Sequence, residues 1–295
     1  MSAGAGPGFE ARAVAAYGRR WLVRDAAGTL WQAVRRGKRG DVVVGDRVCC
    51  AVTAHDAVID SVLPRASLFY RAAEHRTKEL AANVDLVILV YAPRPAFNLY
   101  FLWRALVAAR AAEVAALAVL NKTDLPEADG EARAALDQLA ALGTPTLALS
   151  AKHDAAQAAA ARHARLAGRV GLLVGQSGMG KSTILNLLAP DAHARTQEYS
   201  ARLNLGKQTT TAARWFDLSG GGALIDTPGF QEFGLAHLSR AEVAAALLEF
   251  APCLGQCRFS DCRHLEEPGC AVRAAVAAGT IDPRRYAFYR ELAAA

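Results

Sequence analysis

Val170-Gly-Leu-Leu-Val-Gly175-Gln176-Ser177-Gly178-Met179-Gly180-Lys181-Ser182-Thr183 runs from five apolar positions into a glycine-rich loop, and Ile-Leu-Asn-Leu-Leu follows it. The loop fits Gly-x4-Gly-Lys-Ser with a strand expected before it and a helix, 181–188, after it, the context in which that pattern cradles phosphates. Its glycines let the backbone wrap an anion, and the helix N-terminus adds a positive dipole end. In such a loop Lys181 reaches the β- and γ-phosphates and Ser182 ligates Mg²⁺. A nucleoside triphosphate is therefore the expected ligand, in a parallel sheet flanked by helices.

Upstream of the loop, two segments choose the base. Asn121-Lys122-Thr123-Asp124 follows the apolar run 114–120, and so stands at the C-terminal end of an expected strand, where ligands bind in such sheets. It matches the guanine-reading Asn-Lys-x-Asp signature. A carboxylate at Asp124 accepts from guanine N1–H and from the 2-amino group, whereas adenine leaves it unpaired. Sites built this way reject the wrong partner by roughly 10⁴ or more. Ser150-Ala151-Lys152 lies twenty-six residues beyond Asp124, again after a strand, and resembles the loop that supports the base.

Downstream, Gly222-Ala-Leu-Ile-Asp226-Thr227-Pro228-Gly229 is a strand ending in Asp-Thr-Pro-Gly. In this motif the aspartate holds Mg²⁺ through water and the Gly229 N–H senses the γ-phosphate. The polar segment 193–208 leads into Thr209-Thr210-Thr211, one of which closes over Mg²⁺ when GTP is bound. Thr210 is favoured, and the choice within the run stays open. Many GTPases carry a water-orienting glutamine after Asp-x-x-Gly. Here the residue is Phe230, so a low intrinsic rate is expected. The base-reading motifs precede the phosphate loop, the reverse of the ordinary order. Strands need spatial neighbours rather than a chain order, so a circularly permuted GTPase domain is expected.

The alternation of strand and helix begins near Asn83, with strands at 84–91, 114–120 and 145–149 and helices at 99–112, 127–142 and 155–167. The first 65 residues read instead as short strands, at 21–23, 30–34, 42–44, 47–52 and 57–60, punctuated by glycines. That spacing suits a small barrel of OB-fold size. Past about residue 235 the pattern is helical, at 240–250, 271–278 and 283–292. Three units follow: 1–65, 66–235 and 236–295.

The chain has 295 residues, 53% hydrophobic and 21% charged, which excludes disorder as the main state. No run of roughly eighteen apolar residues is free of charge, so no transmembrane helix is expected. Met1 to Gly8 lacks a basic-then-apolar export pattern, which points to the cytosol. The net charge is +6, and residues 1–65 hold ten Lys/Arg against six Asp/Glu. Arg35, Arg36, Lys38 and Arg39 fall in one short stretch, read either as a solvated loop or as a grip on a polyanion. Cys253, Cys257, Cys262 and Cys270 crowd into eighteen residues with His264 among them. In a reducing compartment this suggests a metal, with disulfides as the alternative. Three thiolates and one imidazole suit a closed tetrahedral Zn²⁺ site.

Together, Gly175–Thr183, the Leu-Gly-Lys-Gln-Thr-Thr-Thr-Ala-Ala-Arg stretch 205–214, Asp-Thr-Pro-Gly-Phe-Gln-Glu-Phe-Gly-Leu at 226–235 and the cysteine cluster 257–272 resemble the bacterial small-ribosomal-subunit-dependent GTPases of the RsgA/YjeQ type, over about residues 10–292. The resemblance implies an OB-like RNA-binding barrel, a permuted GTPase domain and a helical zinc domain. It implies zinc ligands at Cys257, Cys262, His264 and Cys270 and leaves Cys253 out. It also implies GTP hydrolysis stimulated by the small subunit late in its assembly, with GTP/GDP and the subunit's rRNA as partners, no membrane, and a monomer. Family members commonly carry a histidine before the threonine run. Gln208 stands there and can orient water without acting as a base. Trp31 with Arg35, Arg36, Lys38 and Arg39 are the barrel's candidates for rRNA, and Arg258, Arg263 and Arg273 those of the zinc domain. The rival readings are the same GTPase acting on tRNA or a protein, and an RNA-binding module with GTP as a structural ligand.

Overall fold

The computed structural model describes residues 8–35, 42–53, 56–73, 76–154, 166–202, 213–227 and 232–294. Strand β1 (Gly8–Tyr17) pairs antiparallel with β2 (Arg20–Asp25) and with β4 (Arg47–Val52). β3 (Leu30–Arg35) and β5 (Ala57–Val62) complete the circuit, with β3 parallel to β5 and β5 antiparallel to β4. The result is a closed five-stranded barrel in the order β1-β2-β3-β5-β4-β1. Closure leaves the end of β1 beyond Arg12, past its pairing with β4, as a free edge.

Two of the strand expectations change here. β1 is alanine-rich and so carries little strand signal in sequence. It is nonetheless the barrel's longest strand, with Ala13 and Val14 wholly buried. Residues 42–44 form no strand. They tuck inward ahead of a turn in which the Val43 N–H donates to Asp46 at 2.8 Å. Gly45 has φ +96°, and a Cβ there would stand 2.0 Å from the Ala82 carbonyl oxygen. Asp46 is fully buried and accepts from Arg65 at 2.7 and 2.9 Å, so its charge is paired.

The larger sheet is built on β8 (Leu86–Tyr91), every residue of which is buried. A run apolar at every position is what a strand covered on both faces requires. Parallel neighbours are β9 (Ala115–Leu120), β10 (Thr146–Ala148), β11 (Val170–Val174) and β13 (Ala223–Asp226), and β12 (Arg214–Asp217) joins antiparallel. The order is β10-β9-β8-β11-β13-β12, and the sheet runs on into the barrel through the pair Ala15↔Arg214. A hairpin that the sequence reading lacked, β6 (Leu68–Ala73) with β7 (Arg76–Ala82), forms a separate two-stranded sheet.

Helix α1 (Leu99–Ala111) is capped by Asn98, which accepts from the N–H groups of Tyr100 and Phe101. The helix expected over 127–142 divides at Gly130 into a 3-10 turn, Pro126–Asp129, and α2 (Glu131–Ala141). α3 (Lys181–Leu188) follows the phosphate loop. The expected polar segment begins as a helix, α4 (Ala192–Arg202). α5 (Arg240–Ala246) opens with a capping box between Ser239 and Glu242. It gives way to a 3-10 turn, Leu248–Cys253, which contains Pro252 and is shorter than the helix expected to 250. α6 (Ala271–Ala277) and α7 (Pro283–Ala294) close the chain. The expected helix at 155–167 falls largely outside the described residues.

Two cores result. Ala13, Val23, Val48 and Ile59 fill the barrel. The second core runs from β8 and α1 through Phe250, Val272 and Phe288, so the C-terminal helices share it with the parallel sheet. Arg285 is buried at that junction, 2.5 Å from Glu249 and with its guanidinium 4.8 Å from the Trp103 ring centre. Among the described residues no helix is long and apolar enough to cross a membrane.

Candidate nucleotide site and metal centre

The loops that follow β9, β10 and β11 meet at the C-terminal ends of the parallel strands, beside the end of β13, where open α/β sheets bind ligands. Close approach explains the glycines. A Cβ on Gly175 would lie 2.2 Å from the Val90 carbonyl oxygen. Gly180 has φ +91°, and a Cβ there would lie 2.2 Å from Asn121 Nδ2.

Asn121 holds the site together. It is 2% exposed; its Nδ2 donates to the Met179 carbonyl at 2.9 Å, and its Oδ1 accepts from the Ala151 N–H at 3.0 Å. One amide thus ties the phosphate loop to the Ser150-Ala151-Lys152 loop. Lys122, at φ +60°, sends Nζ to the carbonyls of Gly178 at 2.8 Å and Arg94 at 2.7 Å. The Thr123 N–H donates to the Leu149 carbonyl at 3.4 Å. Asp124 is exposed and accepts from Ser150 Oγ at 2.5 Å. That bond, with smaller help from His153 and Lys152, holds its carboxyl below the usual range. Lys152 itself is exposed, and Ala151 is buried.

Within the phosphate loop, Ser177, Gly178, Ser182 and Thr183 face solvent and Met179 is 1% exposed. Gln176 Oε1 accepts from the Asn98 N–H at 2.7 Å, joining the loop to the start of α1. Lys181 Nζ donates to the carbonyls of Gly175 at 2.6 Å and Gln176 at 2.9 Å. Burial lowers the Lys181 pKa, and Asp226 opposes that shift. Burial raises Asp226, against the pull of Lys181 and Arg214. Each of these charges therefore helps retain the other. Thr227 is buried and donates to the Leu173 carbonyl at 3.2 Å, fixing the end of β13 to β11. Arg214, opposite Asp226 in the β12–β13 register, closes the 205–214 stretch but has no role in sequence, because nothing local distinguishes it from a surface arginine.

Gln208, Thr209, Thr210, Thr211, Gly229 and Phe230, together with Arg36, Lys38 and Arg39, lie outside the described residues. In the barrel, Trp31 Nε1 donates to Asp25 at 2.9 Å and its ring lies 5.4 Å from that of Phe9, so part of the indole is committed to the barrel.

The ligand atoms of Cys257, Cys262, His264 and Cys270 lie within 4.8 Å of one another. Cys257 Sγ is 3.4 Å from His264 Nδ1 and 4.0 Å from Cys270 Sγ, and Cys270 Sγ is 3.5 Å from the same nitrogen. Tetrahedral zinc sets edges of about 3.8 Å between sulfurs and about 3.5 Å between sulfur and nitrogen. The four side chains fit such an ion, and 4.0 Å is far beyond a disulfide bond of about 2.05 Å. Cys253 stands outside this group and, like the other cysteines, is a free thiol. The loop is braced around the ligands. Tyr286 and Tyr289 of α7 donate to the carbonyls of His264 and Arg263 at 2.8 and 2.7 Å, and Glu267 accepts from the N–H groups of Arg263, Leu265 and Glu266 at 2.9 to 3.1 Å.

A parallel sheet with a phosphate loop after β11 and guanine-type loops placed earlier in the chain defines a circularly permuted P-loop GTPase. Residues 62–236 match the family model for the RsgA GTPase. The chain is 47% identical over 285 residues to the small ribosomal subunit biogenesis GTPase RsgA of Burkholderia pseudomallei, covering 96% of this chain and 91% of the relative. It is similar to the crystal structure of YjeQ from Thermotoga maritima, with a TM-score of 0.69 at 27% identity, covering 97% of each chain. It also shares the fold of YloQ, a circularly permuted GTPase, with a TM-score of 0.68 at 23% identity over 98% of this chain and 94% of that one. The chain belongs to the RsgA GTPase family. It is a GTP hydrolase with a group of four side chains that could hold a metal ion.

Proposed function

We propose that this GTPase binds the small ribosomal subunit and acts in its late maturation, hydrolysing GTP to GDP and phosphate when docked. The observation that carries the nucleotide half is the Asn121 junction, which joins a phosphate loop to a base loop. In this reading Asp124 pairs with guanine, supported by Asn121, Lys122, Thr123 and the loop Ser150, Ala151 and Lys152. Gly175 to Gly180 present backbone N–H groups to the phosphates, and Ser182 and Thr183 open the helix beneath them. Lys181 exchanges its two carbonyl partners for phosphate oxygens. Ser182, Thr210 and Asp226 hold Mg²⁺, which neutralises charge on the β- and γ-phosphates. The Gly229 N–H senses the γ-phosphate. Phe230 cannot orient water, and Gln208 takes that part by hydrogen bonding.

The ion held by Cys257, Cys262, His264 and Cys270 is zinc, in a closed structural site. The three functional units are the barrel 1–65, the GTPase 66–235 and the zinc-binding helices 236–295. Arg35, Arg36, Lys38 and Arg39 on the barrel and Arg258, Arg263 and Arg273 near the zinc meet rRNA phosphates, so subunit binding weakens with salt. The protein works as a monomer in the cytoplasm.

Steady-state GTP hydrolysis with and without purified small subunits tests this, with ATP and large subunits as controls. A slow basal rate that rises only with small subunits is the expected result. A rate indifferent to small subunits would leave the GTP site standing and detach it from the ribosome.

A further inference from the structure

Where the barrel meets the parallel sheet, one carboxylate gathers three elements. Asp217, the last residue of β12, accepts from both Nη atoms of Arg24 on β2, the longer bond being 2.7 Å. It also accepts from Arg195 Nη1 of α4 at 2.6 Å and from Trp215 Nε1 of its own strand at 2.9 Å. Arg12 of β1 lies over the Trp215 ring, 4.8 Å from its centre. Two further bonds tie the far end of α4 to the barrel: Arg202 Nη1 donates to the Leu30 carbonyl at 3.1 Å, and Gln32 Nε2 donates to the Arg202 carbonyl.

Two features make this node more than a surface ion pair. First, α4 is poorly held by apolar burial. Among its described side chains only Ala192 and Tyr199 are buried, so polar ties set its position. Second, the node adjoins the nucleotide site. β12 pairs with β13 so that Arg214 faces Asp226, and Arg214 also pairs in register with Ala15 of the barrel. The barrel keeps an interior core of its own and packs on the larger core through Val14, Ala15, Leu22 and Val44, so polar cross-links act beside that contact in fixing its placement against the GTPase sheet. Two arginines from different units converge on one carboxylate; without it they repel.

We propose that Asp217 is a positioning residue for GTP hydrolysis, locking β2 of the barrel to α4 and β12 so that a barrel docked on RNA holds the nucleotide-site elements in their stimulated arrangement. This rests on the reading that a partner stimulates hydrolysis.

Arg24→Gln cuts the barrel leg alone. Its basal GTP turnover, GDP affinity and binding to small subunits are expected to stay within about twofold of the parent, while the stimulated kcat falls by about tenfold. Arg24→Lys, which keeps the charge, is expected to restore at least half of the stimulation. Asp217→Asn, which cuts the Arg24 and Arg195 legs together, is expected to lose at least as much, and the double variant no more than Asp217→Asn, because the Arg24 leg ends on that carboxylate. A stimulated rate within twofold of the parent in Arg24→Gln, or additive losses in the double variant, would overturn the proposal. A second readout is independent of the ribosome: amide exchange across residues 192–202 is expected to quicken in Arg24→Gln, although Arg24 lies on the barrel. Unchanged exchange there would overturn the proposal even if the parent proved indifferent to small subunits. Parent-like thermal unfolding separates loss of the link from loss of the fold.

Discussion

Replacing Asn121 by alanine removes two bonds that have no substitute nearby. The Met179 carbonyl and the Ala151 N–H, at 2.9 and 3.0 Å from the amide, lose their partner at a position only 2% exposed. A buried backbone group left unpaired costs about 1–3 kcal/mol, so the pair costs about 2–6 kcal/mol if both stay dry. Both groups belong to loops rather than to strand ladders, so the loss falls on the relative position of the phosphate and base loops. With about half of that cost expressed in binding, about 1–3 kcal/mol, GDP affinity falls by about five- to 150-fold. The assay is titration with a fluorescent GDP analogue, paired with thermal unfolding with and without saturating GDP. The variant is expected to keep its fold and lose most of the GDP-induced stabilisation. Gly180→Ala supplies a companion test, because its Cβ would lie 2.2 Å from Asn121 Nδ2. Asn121→Ala removes that collision, so the double variant should bind better than the two separate losses multiplied together. Binding of GDP within threefold of the parent by Asn121→Ala would refute the assignment of Asn121 as the joint between the two loops.

The carboxyl of Asp124 is held below its ordinary value of 3.8, first by Ser150, so it stays ionised as pH falls through that value. GDP affinity is therefore expected to be flat from about pH 8 to about pH 5, well above the ordinary carboxyl range. Asp124→Asn is expected to weaken GDP by at least about a hundredfold and to improve xanthosine diphosphate, whose 2-oxo group accepts from the new amide. Equal affinities for the two nucleotides in parent and variant, measured by competition, would contradict the base-reading role. In the metal centre, Cys262→Ser is expected to lower bound zinc from about one ion per chain to near none after dialysis against a chelator, with GDP affinity held within about threefold. Full retention of zinc would exclude Cys262 as a ligand.

What the amino-acid sequence determined by itself is the set of features encoded by neighbours along the chain. A phosphate loop needs its glycines, lysine and serine within nine consecutive residues, and Gly175 to Thr183 supplies them. The guanine loops are equally local, and their order against the phosphate loop carried the permutation. β8 was legible because a strand covered on both faces must be apolar throughout. The candidate metal ligands crowd into one loop, so their spacing alone marked them.

Tertiary structure decided the rest. β1 is a strand because β2, β4 and β12 offer it partners, although its alanines have little preference for extended backbone. The β6–β7 hairpin has the same origin in pairing. Of the five candidate metal ligands, the resemblance left Cys253 out, and the fold brings the ligand atoms of the other four within 4.8 Å of one another. Asn121 reads as a base-contacting residue in sequence, and only the fold turns its amide toward two backbone groups 58 and 30 positions away. Arg24 and Asp217 are 193 residues apart. No local pattern links them, because each is an ordinary charged residue in its own segment. Their meeting follows from the way the barrel, through the end of β1 that β4 leaves uncovered, pairs with the last strand of an open sheet.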